Sequence, residues 1–556
     1  MNVNSSLDKS KLVKVSGSEY RFVSLIVLIV LIVTSLPYIY AQITTPPDKV
    51  FMGMMLDVPD HLQYFSWMRE LTTANLAANK LTPEANKPVF FNLLWWVLGR
   101  VGKLFDVGFA GMFQVLRIVA TFFFMYFAYR ICAWYFPEKK KRVVSFIAIC
   151  ITSGLGWVLV LLKYTLTKGE LLFPLDVFIA EGNTFLSILG YPHFIAALMY
   201  IFCFELVLIG EKKQQYRFAV FAGLFALFLG WQHAYDLISV YGVLGAYGLL
   251  KWLRTKKFPR FLFGSGLLIG LISCWPAIYS VVLTSLDPLW KEVLAQFENA
   301  GVFTPNLLHL PILLGFTLII AVITVISDRP LQLREKSDTE LFILGWFWVG
   351  FVLIYLPVDY QIHLINGWQI PIALLATKGL FKAMPSILTR LSKINHRLSR
   401  ENLVVTLFFL LIIPTNVYLF TWRFIDLSRH DYPYYLYKDE VDALNWLDRN
   451  AKPDDVILSS LTIGQYIPAY TGSHAYLAHW AQTVDYYGKV KAVDEFYTQK
   501  TTDDVRQRIL QDKSVDYVFY GPAEEAIGNS NPEKAGYLSL VYDESRVRVF
   551  KVVENH

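Results

Sequence analysis

The chain has 556 residues, of which 55% are hydrophobic and only 17% are charged, and its formal net charge is +6. Because about a quarter of the residues of an ordinary soluble enzyme are charged, this composition excludes a typical soluble protein and predicts a polytopic membrane protein. The cysteines all lie inside apolar runs, which excludes a disulfide framework and a paired zinc spacing; they are Cys132, Cys150, Cys203 and Cys274.

The first apolar run, from Phe22 to about Ala41, is long enough to cross a bilayer, and no small-residue cleavage site ends it cleanly. It is therefore predicted to be a retained transmembrane helix and not a signal peptide. Basic residues precede it, at Lys9, Lys11, Lys14 and Arg21. By the positive-inside rule these residues place the N-terminus in the cytoplasm.

Further apolar runs of about twenty residues bring the predicted number of membrane spans to about eleven. They lie near residues 112–135, 143–163, 187–210, 217–235, 236–253, 260–283, 307–326, 340–357, 364–381 and 402–422. Basic clusters between the runs all fall on the cytoplasmic side if segment 89–104 does not cross; they are Lys139–Arg142, Lys212–Arg217, Lys251–Arg260, Arg329–Lys336 and Lys382–Arg400. That segment is short and ends in Arg100 and Lys103, so it is predicted to be an interfacial amphipathic helix.

This topology places four loops outside, together with everything after about Thr421: 42–111, 164–186, 284–306 and 358–363. Residues 423–556 are mildly acidic and contain both strand-like and helix-like segments, which predicts a soluble domain. The fold class is therefore mainly α, with about eleven transmembrane helices and amphipathic outer-loop helices in residues 1–422. A small extracytoplasmic α/β domain follows in residues 423–556. The predicted location is the cell membrane.

The segment LDVPDHLQYFSWMRE, Leu56 to Glu70, places Asp57 and Asp60 just outside the first helix. The pattern predicts a helix on the membrane surface that starts after Pro59, with Asp60 at or near its N-cap. A carboxylate in this position could act as a base on an acceptor hydroxyl. Equally, Asp60 could only cap the helix while Asp57 is solvated.

The pair Asp60-His61 comes shortly before Tyr64 and directly after the first transmembrane helix. This order resembles the first outer loop of the GT-C class of integral-membrane glycosyltransferases. In that class an acidic pair occupies this loop, and here His61 replaces the second acid. The stretch NKLTPEANKPVFFNLLWWVLGRV is similar to the proline-containing turn and juxtamembrane helix that follow the acidic motif in many members. The multi-span body and the outer C-terminal domain extend the resemblance over most of the chain.

The resemblance implies an inverting transfer of a sugar from a polyprenyl-phosphate donor to a glycan, lipid or protein acceptor on the outer face of the membrane. Asp60 would be the base, and Asp57 or His61 would orient the acceptor or a divalent cation such as Mg or Mn. The expected metal ligands, if a metal is bound, are Asp57, Asp60 and His61. Membrane lipids are further expected partners.

Candidate contacts to the donor come from several outer segments; they are His61, Tyr64, Arg69, Lys87, His193, His233, Asp236, Gln361 and His363. His233 and Asp236 lie three residues apart on one predicted helical face, where they could shape the cavity or hydrogen-bond each other and pin two helices. His193 could contact a phosphate or cap a helix. The segment with Gln361 and His363 could contact the donor or be an ordinary interfacial turn.

A lipid phosphate needs a cation at headgroup level, and the outer-side candidates are Arg69, Lys80, Lys87, Lys163, Lys168 and Lys291. Arg69 is favoured because it lies on the helix begun at Asp60 and could turn back toward the same cavity; the lysines are expected to reach lipid phosphates instead. In the C-terminal domain, the cluster of His474, His479, Trp480 and Asp485 could contact sugars or simply provide packing.

The sequence has no GxxxxGK[ST], HExxH, GxSxG or GxGxxG motif. Nucleotide-powered chemistry is therefore disfavoured, and nothing indicates nucleic-acid recognition. Two other functions stay open: a transporter or flippase that uses the same ionisable residues, and a non-catalytic scaffold of a glycan assembly complex.

Overall fold

The computed structural model describes residues 15–169, 173–296, 303–329, 332–390, 399–528 and 532–553. Lys9, Lys11 and Lys14, and parts of two of the basic clusters, lie outside the described residues. The chain forms two compact units. The helical unit comprises Met1–Leu36, Val115–Ala277 and Phe303–Trp422, and the α/β unit comprises Pro37–Gln114, Ile278–Val302 and Arg423–His556.

The chain is mainly helical. In chain order the α-helices are α1 (Gly17–Thr44), α2 (Val58–Thr73), α3 (Leu93–Phe105), α4 (Phe109–Tyr135), α5 (Lys139–Ile151), α6 (Gly156–Thr165), α7 (Thr184–Gly190), α8 (Pro192–Ala197), α9 (Tyr200–Lys213), α10 (Arg217–Gln232), α11 (Asp236–Thr255), α12 (Arg260–Ser273), α13 (Trp275–Leu286), α14 (Pro288–Ala295), α15 (Leu310–Ser327), α16 (Asp338–Leu353), α17 (Gln369–Arg390), α18 (Arg400–Ile412), α19 (Pro414–Ser428), α20 (Lys438–Asn450), α21 (Leu461–Gly464), α22 (Ile467–Thr471), α23 (Tyr486–Tyr497), α24 (Asp503–Asp512) and α25 (Pro522–Gly528).

Six helical segments in the described part of the chain are long and apolar enough to cross a membrane: Gly17–Thr44, Phe109–Tyr135, Lys139–Thr165, Pro192–Lys213, Leu307–Ser327 and Gln369–Arg390. Two bent pairs, α12 with α13 at 47° and α18 with α19 at 53°, bring the number to eight if each pair is one span. The chain is therefore a multi-pass membrane protein. The remaining predicted spans coincide with α10, α11 and α16, which do not meet the same criteria, so the count of about eleven is not confirmed.

Segment 89–104 forms α3, a helix of 13 residues. At 1.5 Å per residue it is about 20 Å long, which is shorter than the hydrocarbon core of a bilayer. It packs closely on α2, since a side chain at Gly99 would lie 2.4 Å from the carbonyl oxygen of Met68. The length and the packing are those of a helix that does not cross.

Several membrane helices of the helical unit are interrupted, and the interrupted backbones hydrogen-bond one another. Between α5 and α6, the amide of Ser153 donates to the carbonyl of Ile412 (2.8 Å) and the amide of Leu155 donates to the carbonyl of Ile312 (2.7 Å). The hydroxyl of Thr415 donates to the carbonyl of Gly154 (2.9 Å). Because lipid offers no hydrogen-bond partners, broken helices persist at membrane depth only where such groups satisfy each other.

Asp176 caps the second half of the interrupted span. Its Oδ2 accepts the amide proton of Gly156, the first residue of α6, at 2.9 Å. The side chain is 1% exposed. A side chain at Gly156 would lie 1.8 Å from Asp176 Oδ1, so this contact requires glycine.

The α/β unit contains a five-stranded sheet with the strand order β4-β3-β5-β7-β6. Strand β3 pairs in parallel with β4 and β5, whereas β7 pairs antiparallel with β5 and β6. A separate antiparallel pair joins β1, before α2, to β2, after α19. The strands are β1 (Lys49–Phe51), β2 (Tyr435–Tyr437), β3 (Val456–Leu458), β4 (His474–Ala475), β5 (Val515–Tyr520), β6 (Leu538–Glu544) and β7 (Val547–Val552). All the segments predicted to be strands contribute to the larger sheet.

Gly315 allows α15 to bend toward the interrupted span, and its replacement is predicted to destabilise the helical unit. Its φ is 68°, and a Cβ would lie 2.3 Å from the carbonyl oxygen of Ser153. We expect Gly315→Ala to cost at least about 1–2 kcal/mol, because alanine disfavours positive φ. The measurement is the melting temperature of the detergent-purified protein. The matched control is Gly266→Ala on α12, where nothing lies within 4 Å; equal melting temperatures for the two variants would contradict the prediction.

Candidate active site

Helix α2 presents Asp60 in its first turn. The helix begins at Val58, before Pro59 and not after it, and Asp57 is its N-cap residue. Asp57 has left-handed backbone angles (φ 41°, ψ 55°) and its side chain makes no capping hydrogen bond. The alternative that Asp60 is the N-cap residue is therefore wrong, because the N-cap residue lies three positions earlier, at Asp57.

The carboxylate of Asp60 accepts a hydrogen bond from a residue far along the chain. His479 Nε2 lies 2.8 Å from Asp60 Oδ1. The Asp60 side chain is 28% exposed, whereas that of His479 is 2% exposed. His479 Nδ1 accepts the backbone amide protons of Ala481 (3.0 Å) and Gln482 (3.3 Å). A ring nitrogen that accepts amide protons carries no proton, so the network assigns the proton to Nε2, which donates it to Asp60.

The turn that carries His479 is braced from two sides. Thr483 Oγ1 accepts the amide protons of Ala478 and His479, both at 3.0 Å, and donates to the carbonyl of Leu81 at 2.6 Å. Gln296 Nε2 donates to the carbonyls of Ala481 (3.2 Å) and Thr483 (2.9 Å). Both neighbours, at residues 81 and 296, are remote in sequence. The position of the imidazole is therefore fixed by tertiary contacts as well as by the turn itself.

Lys80 and His474 hold the loop around residues 80–82 against the sheet, and the hydrogen bonds of Lys80 are made within the protein. The amide of Ala475 donates to the carbonyl of Lys80 (2.9 Å), and Lys80 Nζ donates to the carbonyl of Pro453 (2.6 Å). His474 Nδ1 lies 2.7 Å from the carbonyl oxygen of Thr82. Burial lowers the pKa of His474, and the adjacent Lys80 ammonium lowers it further. A neutral His474 that donates through Nδ1 is thus a structural link, in agreement with the packing interpretation of this residue.

Arg69 does not turn back toward Asp60, and the expectation that it does is wrong. It lies nine residues further along α2, which places it about 13 Å along the axis on the opposite face. Its guanidinium pairs with Asp448 and donates to the carbonyl of Tyr470 at 3.1 Å. It lines a polar cleft of about 550 Å³ on that side of the α/β unit. The contacts of Arg69 thus fix α2 to the C-terminal helices.

The other predicted residues of the first outer loop differ in their environment. His61 is 1% exposed and its ring centroid lies 4.7 Å from that of Phe113. Tyr64, one turn after Asp60, stacks on Trp95 with centroids 4.6 Å apart. Lys87 is exposed. The expectation that His61 stands beside Asp60 at the acceptor is therefore not met, because adjacent residues of a helix point about 100° apart.

No three His, Cys, Asp or Glu side chains among the described residues form a group that could hold a metal ion. The expected ligand set of Asp57, Asp60 and His61 is thus not gathered. Asp57 precedes the helix in a left-handed conformation, and His61 points into the packing. The residues present do not fit a three-ligand metal centre.

In the helical unit, His233 is the C-cap residue of α10 and Asp236 is the first residue of α11, so the two do not share one helical face as expected. His233 Nδ1 lies 2.8 Å from Asp236 Oδ2, and Tyr235 Oη lies 2.7 Å from His233 Nε2. Asn366 Nδ2 donates to the same Asp236 oxygen at 3.3 Å. Asp236 is wholly buried. These bonds tie the turn to the loop after α16. They agree with the alternative that His233 and Asp236 hydrogen-bond each other and pin two helices together.

Two more predicted residues join this group. His363, in a 3₁₀ turn with Gln361, hydrogen-bonds to Glu181, which is 2% exposed. The His193 ring centroid lies 6.0 Å from that of His233. The ring centroids of Tyr235 and His363 lie 5.8 Å apart, so four separate segments of the sequence, around residues 181, 193, 233–236 and 361–366, supply one polar cluster. Glu181 was missed; as an acid in predicted outer loop 164–186 it could have been selected.

Comparisons with known proteins now bear on the fold. A comparison with protein-family models finds no match, and a comparison with curated protein sequences finds none either. Among solved structures, the Archaeoglobus fulgidus oligosaccharyltransferase in complex with Zn and sulfate is 13% identical, with a TM-score of 0.56; the match covers 95% of this chain and 73% of that chain. The same organism's AglB, in complex with an inhibitory peptide and a dolichol-phosphate, is 14% identical with a TM-score of 0.53, covering 94% and 73%.

Arabinofuranosyltransferase AftD from Mycobacteria is 13% identical with a TM-score of 0.51, and the match covers 96% of this chain and 40% of that chain. At such identities the likeness establishes the fold and nothing finer. The fold is that of the GT-C class of integral-membrane glycosyltransferases, which confirms the fold that the resemblance implied.

Replacing Asp236 is predicted to destabilise the helical unit. In Asp236→Asn, the side-chain oxygen can take the place of Oδ2 and still accept from His233 and Asn366, but the amide nitrogen then takes the buried place of Oδ1, so that one buried donor is left mispaired. Such a group costs about 1–3 kcal/mol, and we expect the melting temperature of the purified protein to fall by a few degrees. Asp359→Asn, on an exposed residue of the same unit, is the control and is expected to change nothing. A melting temperature of Asp236→Asn equal to that of the control would show that these bonds do not hold the turn.

Proposed function

We propose that the chain is a glycosyltransferase that takes a sugar from a polyprenyl-phosphate donor and transfers it to an acceptor hydroxyl on the outer face of the cell membrane, with inversion. The observation that carries the proposal is the Asp60 carboxylate, which is partly exposed yet held at 2.8 Å by a buried histidine. A base needs both properties, because it must be reached by the acceptor and must stay aligned.

The proposed reaction is a single displacement. Asp60 takes the proton of the acceptor hydroxyl while the hydroxyl oxygen attacks the anomeric carbon from the face opposite the lipid phosphate. The bond between the anomeric carbon and the phosphate oxygen breaks, and its electron pair stays on the phosphate. Attack from the opposite face inverts the anomeric centre.

A lipid-linked donor is supported by two observations. The sequence has neither a GxxxxGK[ST] nor a GxGxxG motif, and a solved protein of the same fold was determined with a dolichol-phosphate. From their places in the predicted outer segments, His193, His233, Gln361 and His363 are proposed to contact the donor, and the buried Asp236 is proposed to hold His233 in place. Lys87, which is exposed in the segment between α2 and α3, is proposed to contact the donor phosphate in place of Arg69, and Tyr64 is proposed to contact the acceptor.

The proposal includes an orientation. The N-terminus is cytoplasmic and the α/β unit is extracytoplasmic, on the argument that the basic loops stay inside. Asp57, the N-cap residue of α2, is proposed to assist in orienting the acceptor.

A transporter or flippase is the second candidate, and the interrupted helices favour it. Breaks at residues 152–155 and at Ile413, with the left-handed Gly315, meet in one region of the helical unit. Discontinuous helices line substrate sites in many transporters. The two candidates differ in product: a transporter leaves the glycosidic bond to the lipid intact.

Asp60→Asn is predicted to abolish transfer. The protein is reconstituted in liposomes with radiolabelled polyprenyl-phosphate hexose and pentose donors and a membrane extract as the source of acceptors. Because the amide cannot take a proton, we expect the rate of transfer to fall at least about 100-fold, while donor binding changes little. The matched control is Asp442→Asn, an exposed residue of the same unit.

Transfer that survives in Asp60→Asn would remove Asp60 as the base. If the wild-type protein cleaves no donor and instead moves labelled donor across the liposome membrane, the transporter is the correct function and the glycosyltransferase proposal fails.

A further inference from the structure

We propose that His479 is a positioning residue for this reaction: its neutral imidazole holds the Asp60 carboxylate in the orientation that deprotonates the acceptor hydroxyl in line with attack. The inference rests on the proposed function and adds to it a residue of the C-terminal part of the chain. His479 lies 419 residues beyond Asp60 in sequence. The role is assigned by geometry within the α/β unit.

The ring is held in one tautomer. Nδ1 accepts the amide protons of Ala481 and Gln482, and Nε2 donates to Asp60 Oδ1. Protonation of Nδ1 would set a new N–H against two N–H groups in a site where the side chain is 2% exposed, which is unfavourable. His479 is therefore neither a base nor a proton relay, and it acts through Asp60.

The hydrogen bond that His479 donates to Asp60 improves the alignment of the carboxylate and does not raise its basicity. A hydrogen bond to a carboxylate stabilises the charged form, which makes the group a weaker base. The gain comes from orientation, since a displacement of about 1 Å can cost about 100-fold in rate. Thr483 and Gln296 hold the turn from outside, so the imidazole is a rigid reference for a carboxylate at the start of α2.

Two amide substitutions separate the two roles of the ring. In His479→Asn, the side-chain oxygen lies near the place of Nδ1 and can still accept from Ala481 and Gln482, but the amide does not reach Asp60. In His479→Gln, the amide nitrogen lies near the place of Nε2 and can still donate to Asp60, but the acceptor for the turn is lost. His479→Phe removes both interactions.

The experiment measures kcat, KM for the donor and melting temperature for wild type, the three His479 variants and Asp60→Asn in the liposome assay. For His479→Asn we expect a near wild-type melting temperature, kcat lowered about 10- to 100-fold and KM within about twofold. For His479→Gln we expect kcat within about fivefold of wild type despite a lower melting temperature. His479→Phe should lose both activity and stability.

The order of kcat between the amide variants decides the inference. If kcat follows the melting temperature, with Asn more active than Gln, His479 only supports the turn and the inference is overturned while the proposed function stands. Wild-type kcat in both amide variants overturns it in the same way. If the wild-type protein transfers no sugar, the proposed function fails first and the inference with it; if Asp60→Asn stays active, only the roles of Asp60 and His479 fail.

Discussion

The hydrogen bonds between residues 79–82 and the C-terminal part of the chain are the constraint on which the candidate site depends. Asn79 donates to the carbonyl of Gln482, Thr483 donates to the carbonyl of Leu81, and the amide of Val484 donates to Thr82 Oγ1. These bonds are buried or partly buried, so each replaces water and none is easily lost. Through them the loop after α2 and the turn of His479 form one structure, and the distance from Asp60 to His479 is set by both.

The helical unit meets a different constraint, that of irregular backbone in an apolar surrounding. The breaks near Gly154 and Ile413 satisfy each other, and Asp176 supplies the acceptor that the N-terminus of α6 lacks. The Asp176 carboxyl is buried at this helix N-terminus and accepts the amide proton of Gly156. Gly156 leaves the space for it. One acid and one glycine thus satisfy the backbone at the start of α6.

Much of the fold could be predicted because hydropathy is a local property. Every apolar run corresponds to a helix or to a helix broken into two or three pieces, and most strands of the larger sheet follow from short apolar, β-branched or aromatic segments. The breaks could not be predicted in the same way, since Ser153 bonds to a residue 259 positions away. Helix ends are equally hard to predict, since α10 and α16 are shorter than the apolar runs that predicted them. The predicted number of about eleven spans is therefore not confirmed.

The candidate site was predicted only in part, again because the sequence pattern reports local relations and not contacts between distant residues. Asp60 is selected by its place after the first helix, and the residues of the polar cluster by being ionisable in outer loops. Arg69 was assigned to the wrong face because proximity in sequence was taken for proximity in space, although nine residues correspond to half a turn beyond two full turns. His479 was noted only as one member of an aromatic cluster, because nothing local relates it to Asp60.

His61 shows why the partner of Asp60 is distant. The GT-C pattern implies a second acid directly after the first, but on α2 the residue after Asp60 points into the packing beside Phe113. A carboxylate there would lose its hydration among aromatic rings, whereas a neutral imidazole loses much less. The position next to Asp60 in sequence is thus unsuited to a charged partner in this chain. The polar partner comes instead from His479, whose ring is already fixed by the turn, and this arrangement makes the C-terminal part of the chain a contributor to the candidate site.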